Sequence, residues 1–190
     1  MNPIRVSFCL TLFLSAILVT ASAQTGYNKV FTKDGLSFEY PAGWTIQDDS
    51  NNDGQSLTLA RADSDVSINV YVHRGRITPE KLPDAKKAFI DPYIDARAKQ
   101  FISMGAKPVQ AADSTEIAGA KADGVVISAS LGGEAGAARI YWAIIGQRVA
   151  LLTNFGPDKQ QKQFASVWDT VRNSIKIEDP KAAPKATPKP

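Results

Sequence analysis

The sequence predicts an α+β fold in which helices pack against an antiparallel β-sheet. Three observations lead to this prediction. Runs of alternating polarity, typical of half-buried strands, occur both before and after a central helical stretch. A two-residue Gly146-Gln147 connection joins two apolar runs, as in a tight antiparallel hairpin. No strand–helix–strand unit repeats along the chain, and a doubly wound parallel sheet would need such repeats.

The first 23 residues have the pattern of an export signal. Arg5 provides the positive charge, an apolar run extends from Val6 to Thr20, and Ala21–Ala23 supplies small residues for cleavage. We therefore predict a signal peptide at 1–23, a periplasmic or secreted protein, and no transmembrane segment after cleavage. An uncleaved anchor is the alternative, although the run is shorter than the roughly 20 residues that cross a bilayer.

Residues 24–177 are predicted to form a single domain, followed by a disordered Pro/Ala/Lys tail at 178–190. The only cysteine, Cys9, lies in the signal, so the domain has to be stabilised by an apolar core without disulfides. The formal charge is +3, and the tail lysines account for much of the excess. Because the domain is nearly neutral and has no basic run, we exclude nucleic acid as a partner. For the tail, a spacer is favoured over an acidic polymer contact.

Alternating polarity predicts strands in the first third of the chain, at 36–40, 44–46, 56–60 and 66–72. Residues 48–54 between them are rich in Asp, Asn, Ser and Gly, which is typical of an exposed loop.

Apolar residues at helical spacing predict an amphipathic helix over 79–104 that lies on the sheet. Pro92 is expected to interrupt this helix, with Asp91 as the cap of a second one.

The second half of the chain returns to strands. They are predicted at 115–117 and 121–130 around an Ala118-Gly119 turn, then at 139–145 and 148–153 after a flexible loop at 131–136. The last two are expected at the centre of the sheet. Residues 154–157 are expected to break the pattern, and Asp158 to begin the final helix.

The segment Leu36-Ser-Phe-Glu-Tyr40-Pro41-Ala-Gly43-Trp44 resembles the opening signature of the PsbP-like superfamily, which includes PsbP, DcrB and the Ran-binding Mog proteins. The order of elements is also similar, with an aromatic pair on the central hairpin and an extended end after the final helix. The resemblance implies an α/β/α sandwich around an antiparallel sheet, and an accessory, assembly or binding role without catalysis. Physically, Pro41 ends a strand, Gly43 permits a turn and Trp44 folds back as an apolar plug.

The most polar loop contains one candidate metal site. Asp49, Asn51 and Asp53, followed by Gly54, match the first half of an EF-hand calcium loop. The twelfth position is Ala60 where glutamate is required, and strands flank the loop where helices should stand. A solvated hairpin loop is the favoured interpretation, with calcium as the alternative. We predict no other cofactor.

Catalytic equipment is sparse in this sequence. After the signal peptide there is no cysteine and one histidine, His73, which falls at a strand end and is interpreted as a surface residue. No Gly-x-Ser-x-Gly element is present. A small anion patch of Arg74, Arg76 and Arg97 is a further possibility, with solvated surface as the default.

The leading hypothesis is therefore a non-catalytic exported accessory or binding protein that engages another protein or an envelope component. The alternative is a small-molecule or lipid carrier with a cleft between sheet and helices, lined by Phe89, Tyr93 and Trp142. A carboxylate-based hydrolase would need two converging acids, and the sequence does not indicate such a pair.

Overall fold

The computed structural model describes residues 28–178. The predicted signal peptide and the tail beyond Glu178 lie outside these residues. The strands are β1 Asn28–Lys33, β2 Leu36–Pro41, β3 Thr45–Asp48, β4 Gly54–Ala60, β5 Ser67–His73, β6 Val109–Ile117, β7 Ala120–Leu131, β8 Glu134–Ile145, β9 Arg148–Pro157 and β10 Lys176–Ile177. The α-helices are α1 Leu82–Ala85, α2 Asp91–Ser103, α3 Asp158–Gln163 and α4 Ala165–Ser174. In the described part of the chain, every helix falls short of the length and apolar character that a bilayer crossing requires.

Two antiparallel sheets organise the molecule. The larger has seven strands in the order β3-β4-β5-β9-β8-β7-β6, and the smaller has the order β1-β2-β10. The predicted central position is confirmed for β9, which is the middle strand of the seven. The break predicted at 154–157 is wrong, because β9 stays paired with β8 as far as Pro157. Gly156 makes this possible with a φ of +147°, a value that other residues rarely adopt.

Apolar side chains cover both faces of the large sheet. One face packs against α1 and α2, where Ile90, Ile94 and Phe101 are buried. The other face packs against α4 and the small sheet, where Val171 and Phe38 are buried. The arrangement of helix, sheet and second layer is the α/β/α sandwich that was expected.

The mid-chain helix runs past Pro92 without a break, so the predicted interruption is wrong. A π turn at Lys86–Ile90 precedes α2, and Ile90 and Asp91 both have helical backbone angles. Asp91 is therefore not a cap; its carboxylate contacts the Lys86 ammonium instead. Proline has no N–H to donate, and the wider π turn lets the helical path continue into Pro92.

Four hairpins close through two-residue turns in which both residues have positive φ: Asp34-Gly35, Ala118-Gly119, Gly132-Gly133 and Gly146-Gln147. Such turns match the twist of the paired strands. The flexible loop predicted at 131–136 is wrong, because the strands leave only Gly132-Gly133 between them. The strand predicted at 115–117 begins six residues earlier, at Val109. Its first six residues are exposed, so they lack the polarity alternation that burial imposes.

Candidate functional site

Strand β6 forms one edge of the seven-stranded sheet and has no neighbour on its outer side within residues 28–178. Its two-residue turn to β7 makes Ile117 and Ala120 a hydrogen-bonded pair, and the pairing has no bulge back to Val109. Hydrogen-bonded and non-bonded pairs then alternate along the hairpin. The backbone N–H and C=O groups of Gln110, Ala112, Ser114 and Glu116 therefore point away from β7.

Other groups of the protein form hydrogen bonds with some of these outward-pointing backbone groups. Arg172 of α4 donates from Nη1 to the Glu116 carbonyl oxygen at 2.7 Å. The Ser114 amide donates to Asp113 Oδ1 at 2.8 Å. Among the described residues, Gln110 and Ala112 have no backbone partner beyond β7. We call Val109–Ser114, with these two unsatisfied residues, the open edge.

Two residues in register with Asp113 hold it in place at this edge. Asp113 on β6 lies opposite Gly124 on β7, which lies opposite Tyr141 on β8. Because Gly124 has no side chain, the Tyr141 ring lies across it, and its hydroxyl donates to Asp113 Oδ2 at 2.7 Å. That hydrogen bond, with the Ser114 amide, lowers the pKa of Asp113. Burial and the same hydrogen bond raise the pKa of Tyr141 to about 12.

A cavity of about 620 Å³ opens beside the open edge, between α2 and strands β6 and β7. Trp142 lies at its base, and the Lys86 ammonium lies 5.8 Å from the centre of the Trp142 ring. The carboxylates that line it are those of Asp91 and Asp95 from α2 and Asp123 from β7. The Asp113 carboxylate lies on the opposite face of the sheet, where it meets Tyr141. Three acids and one base make this an acidic cleft.

The residues of the family motif lie at a different place, in the layer that contains α4. Gly43 has a φ of +87°, and the Trp44 amide donates back to the Pro41 carbonyl oxygen at 3.4 Å. The turn sends Trp44 inward, where it is 2% exposed and its ring meets Phe164 edge-on at 5.5 Å. Tyr40 is half-buried and packs against the same core. A groove of about 680 Å³ runs between this turn and α4.

The candidate calcium loop connects β3 to β4, and the side-chain oxygens of two of its three candidate ligands, Asp49 and Asn51, have protein partners. Asn51 Oδ1 accepts from the Asp53 amide at 2.8 Å and from the Gly54 amide at 3.0 Å. Asp49 accepts from Gln47 Nε2 through both carboxylate oxygens. Within residues 28–178, no group of three or more His, Cys, Asp or Glu side chains is placed to hold a metal ion. Calcium binding here stays a prediction.

The cleft predicted for a carrier does not form from the residues named for it. Phe89 stacks on His73 with ring centres 5.0 Å apart, and the Tyr93 hydroxyl lies 2.9 Å from Thr153 Oγ1. Trp142 lines the acidic cleft instead. The predicted lining is wrong, because Phe89 and Tyr93 fill the space between helix and sheet.

The arginines predicted as an anion patch have separate partners. Arg74 pairs with Asp34 at 3.1 Å and donates to the Asn51 carbonyl oxygen. Arg97 lies over the Tyr93 ring at 4.9 Å. His73 is partly exposed at the end of β5, as expected.

Sequence reasoning missed the open edge and the acidic cleft. The cleft combines acids from two elements, α2 and β7, that are distant in the chain, and no local spacing indicates that they meet. Gly124 could have indicated the contact between Tyr141 and Asp113, because glycine inside a strand often marks a close approach by a neighbouring group.

Comparison with known proteins supports the fold without supplying a function. No protein-family model matches the chain, and no curated protein matches it. Among solved structures, it is similar to cyanobacterial PsbP (CyanoP) from Synechocystis sp. PCC 6803, with a TM-score of 0.51 and 18% identity over 79% of this chain and 91% of that chain. A protein from Bacteroides thetaiotaomicron VPI-5482 gives a TM-score of 0.52 and 12% identity over 79% of this chain and 48% of that chain.

The fold therefore defines a class: the chain is an α+β protein with the PsbP-like fold, as its Tyr-Pro-x-Gly-Trp element indicated. CyanoP is an example that it resembles over most of both lengths. Identity below one fifth carries the architecture and not the activity, so function has to be argued from the site.

Proposed function

We propose that this chain is a non-catalytic, exported binding protein that engages another protein outside the cytoplasm. The observation that carries the proposal is the open edge of β6, which offers unsatisfied backbone groups beside an acidic cleft. Exposed edge strands of this length are sites where another chain can pair. The export pattern at 1–23 supports the location.

The chemistry of the described residues favours binding over catalysis. His73 is the only histidine of the chain, and its ring is stacked on Phe89. Asp113, the edge carboxylate with a shifted pKa, is held as a stronger acid, which makes it a poor general base near neutral pH.

Site-specific photo-crosslinking in the native host tests the proposal. A photoreactive residue replaces Gln110 on β6 or, as the matched control, Gln47 on β3; both glutamines are exposed on edge strands. We expect one protein adduct of defined mass from position 110 and none from position 47. Equal labelling from both positions, or none from either, would contradict the proposal.

Native mass spectrometry of the purified protein separates this function from the carrier alternative. We expect the mass of the polypeptide alone, because Phe89 and Tyr93 pack onto the sheet where the carrier cleft was predicted, and the cleft that does form is lined by acids. A small molecule that co-purifies in stoichiometric amount would instead favour the carrier.

A further inference from the structure

We propose that the open edge binds an extended, basic segment of its partner as an additional strand of the sheet. This inference rests on the proposed function and adds the chemistry of the partner. Two features together define that chemistry: the backbone groups of Gln110 and Ala112 specify an extended chain, and the acids of the cleft specify its charge.

The backbone groups of β6 that point away from β7 are arranged to pair with another strand. Gln110 and Ala112 each present an N–H and a C=O at the spacing of alternate strand residues, to which a paired strand bonds. Arg172 occupies the Glu116 carbonyl oxygen, so an added strand ends before that point. The stretch Val109–Ser114 is six residues long and offers roughly 20 Å of pairing length.

This edge lacks most of the usual protection against pairing, and the two charged residues that it carries, Asp113 and Glu116, are both acidic. Natural edges are commonly short, bulged, or marked by lysine or proline within the strand. β6 has nine residues, a regular register, and no lysine, arginine or proline between Val109 and Ile117. The length and regular register of β6 therefore allow another strand to pair with it.

The negative charge of the cleft favours a basic segment as the bound strand. The carboxylates of Asp91, Asp95 and Asp123 line the cleft beside the open edge, and Lys86 is the one base that lines it. A strand with lysine or arginine at alternate positions would place its positive charges on the side of the sheet that faces the cleft.

The same charges argue against a second copy of this chain as the occupant. β6 itself carries Asp113 and Glu116 and no base. Pairing two copies edge to edge would bring two acidic strands and two acidic clefts together, and like charges across a strand pair are destabilising.

Fluorescence anisotropy with synthetic peptides tests the inference on the intact protein. The probe is a capped seven-residue peptide that alternates lysine and valine, and its counterpart has glutamate at each lysine. We expect the lysine peptide to bind and the glutamate peptide to bind at least about tenfold more weakly, since like-charge contacts cost more than 1.4 kcal/mol.

N-methylation of alternate peptide nitrogens tests strand pairing directly. Two peptides are methylated, one on the odd and one on the even residues, so that only one of them blocks the edge that faces β6. We expect one to lose binding and the other to keep it. If both bind like the parent, the contact is through side chains only and the inference is overturned; if the parent does not bind, it is overturned as well.

Variants of the protein complete the test. Ala112→Pro removes an outward N–H without removing a β7 bond, and we expect it to abolish peptide binding. Should that variant fold poorly, Asp123→Asn is expected to weaken binding, whereas Glu39→Gln on β2 leaves it unchanged. Equal binding by Asp123→Asn and Glu39→Gln would overturn the charge argument. A crosslinked partner at position 110 that coexists with failure of all peptides would leave the proposed function intact and reject only the strand addition.

Discussion

The two edges of the seven-stranded sheet are protected to different degrees. β3 has four residues, and Lys33 of the small sheet bonds to Asp48 at its end at 2.6 Å. The residue before β3 is Trp44, which anchors that edge in the core. β6 has nine residues, of which the first six are exposed.

This difference separates the structural part of the molecule from the part that is free to bind. The family motif lies at the protected edge, where proline, glycine and tryptophan bring the chain into the core. The exposed edge carries no part of that motif. A shared fold signature therefore does not mark the surface at which this protein is expected to act.

The largest expected effect is on stability at the β3 edge. Trp44→Ala removes a buried indole, and we expect a loss of about 3–5 kcal/mol in the free energy of unfolding. Val109→Ala at the β6 edge, where the side chain is 69% exposed, should change it by less than about 0.5 kcal/mol. Urea unfolding of the two variants measures the contrast. Similar losses in both would mean that the two edges do not differ in this way.

Gly124→Ala should have the next largest effect. A methyl group there meets the Tyr141 ring and the Ile140 carbonyl oxygen, so we expect a loss of about 1–3 kcal/mol. Ser128→Ala, at an exposed position of the same strand, is the control for the change in β-propensity. Equal stability of both variants would show that the position of the Tyr141 ring does not require the absence of a side chain at position 124.

Tyr141→Phe removes the hydroxyl that bonds to Asp113, and we expect about 1 kcal/mol of destabilisation near neutral pH. The low folded pKa of Asp113 gives stability that is present above the unfolded value and lost as the pH falls. The raised pKa of Tyr141 gives stability that is present below the ordinary value of 10.0 and lost as the pH rises to about 12. Melting curves across pH should show both dependences reduced in the variant, and an unchanged profile would contradict the assignment.

A smaller effect is expected from Asp48. Hydrogen bonds from Lys33 and then from Ser50 lower its pKa from 3.8 to about 2. The stability contributed by Asp48 is therefore lost as the pH falls from the first value to the second. Both side chains are partly exposed, so the amount should stay below about 1 kcal/mol. Asp48→Asn should reduce the fall in melting temperature at acid pH. If the variant and the wild type lose the same amount, Asp48 does not cause that fall.

Calcium is expected to have the smallest effect. Asn51 Oδ1 is already used by two backbone amides and Asp49 by Gln47, so we expect no change in the melting midpoint at millimolar calcium. A midpoint that rises with calcium in the wild type and stays constant in Asp53→Asn would establish the loop as a metal site.

Sequence predicted the parts of this fold that follow from local burial and turn chemistry. The alternating residues of β2 and β5 and the Gly146-Gln147 turn indicated strands and a hairpin that the structure contains. The PsbP-like fold was implied by the resemblance of Tyr40 to Trp44 to the opening signature of that superfamily. Physically, Pro41 and Gly43 account only for the local turn that sends Trp44 inward.

The features that the sequence did not predict depend on contacts that local sequence patterns do not show. The first six residues of β6 carry no alternation, because exposure on both faces removes the selection that creates it. The break expected at Pro92 did not occur, since a π turn before it let the helix continue. The acidic cleft joins Asp91 and Asp95 of α2 to Asp123 of β7, and only the packing of α2 on the sheet brings them together.

Amide hydrogen exchange along β6, measured by NMR with and without the lysine–valine peptide, tests the open edge most directly. In the free protein, the amides of Gln110 and Ala112 should exchange fast, while those of Ala111 and Asp113 are protected by β7. Saturation with the peptide should slow exchange at Gln110 and Ala112 and leave β3 unchanged. Fast exchange at both residues in the saturated protein, or protection that develops along β3 instead, would contradict the account.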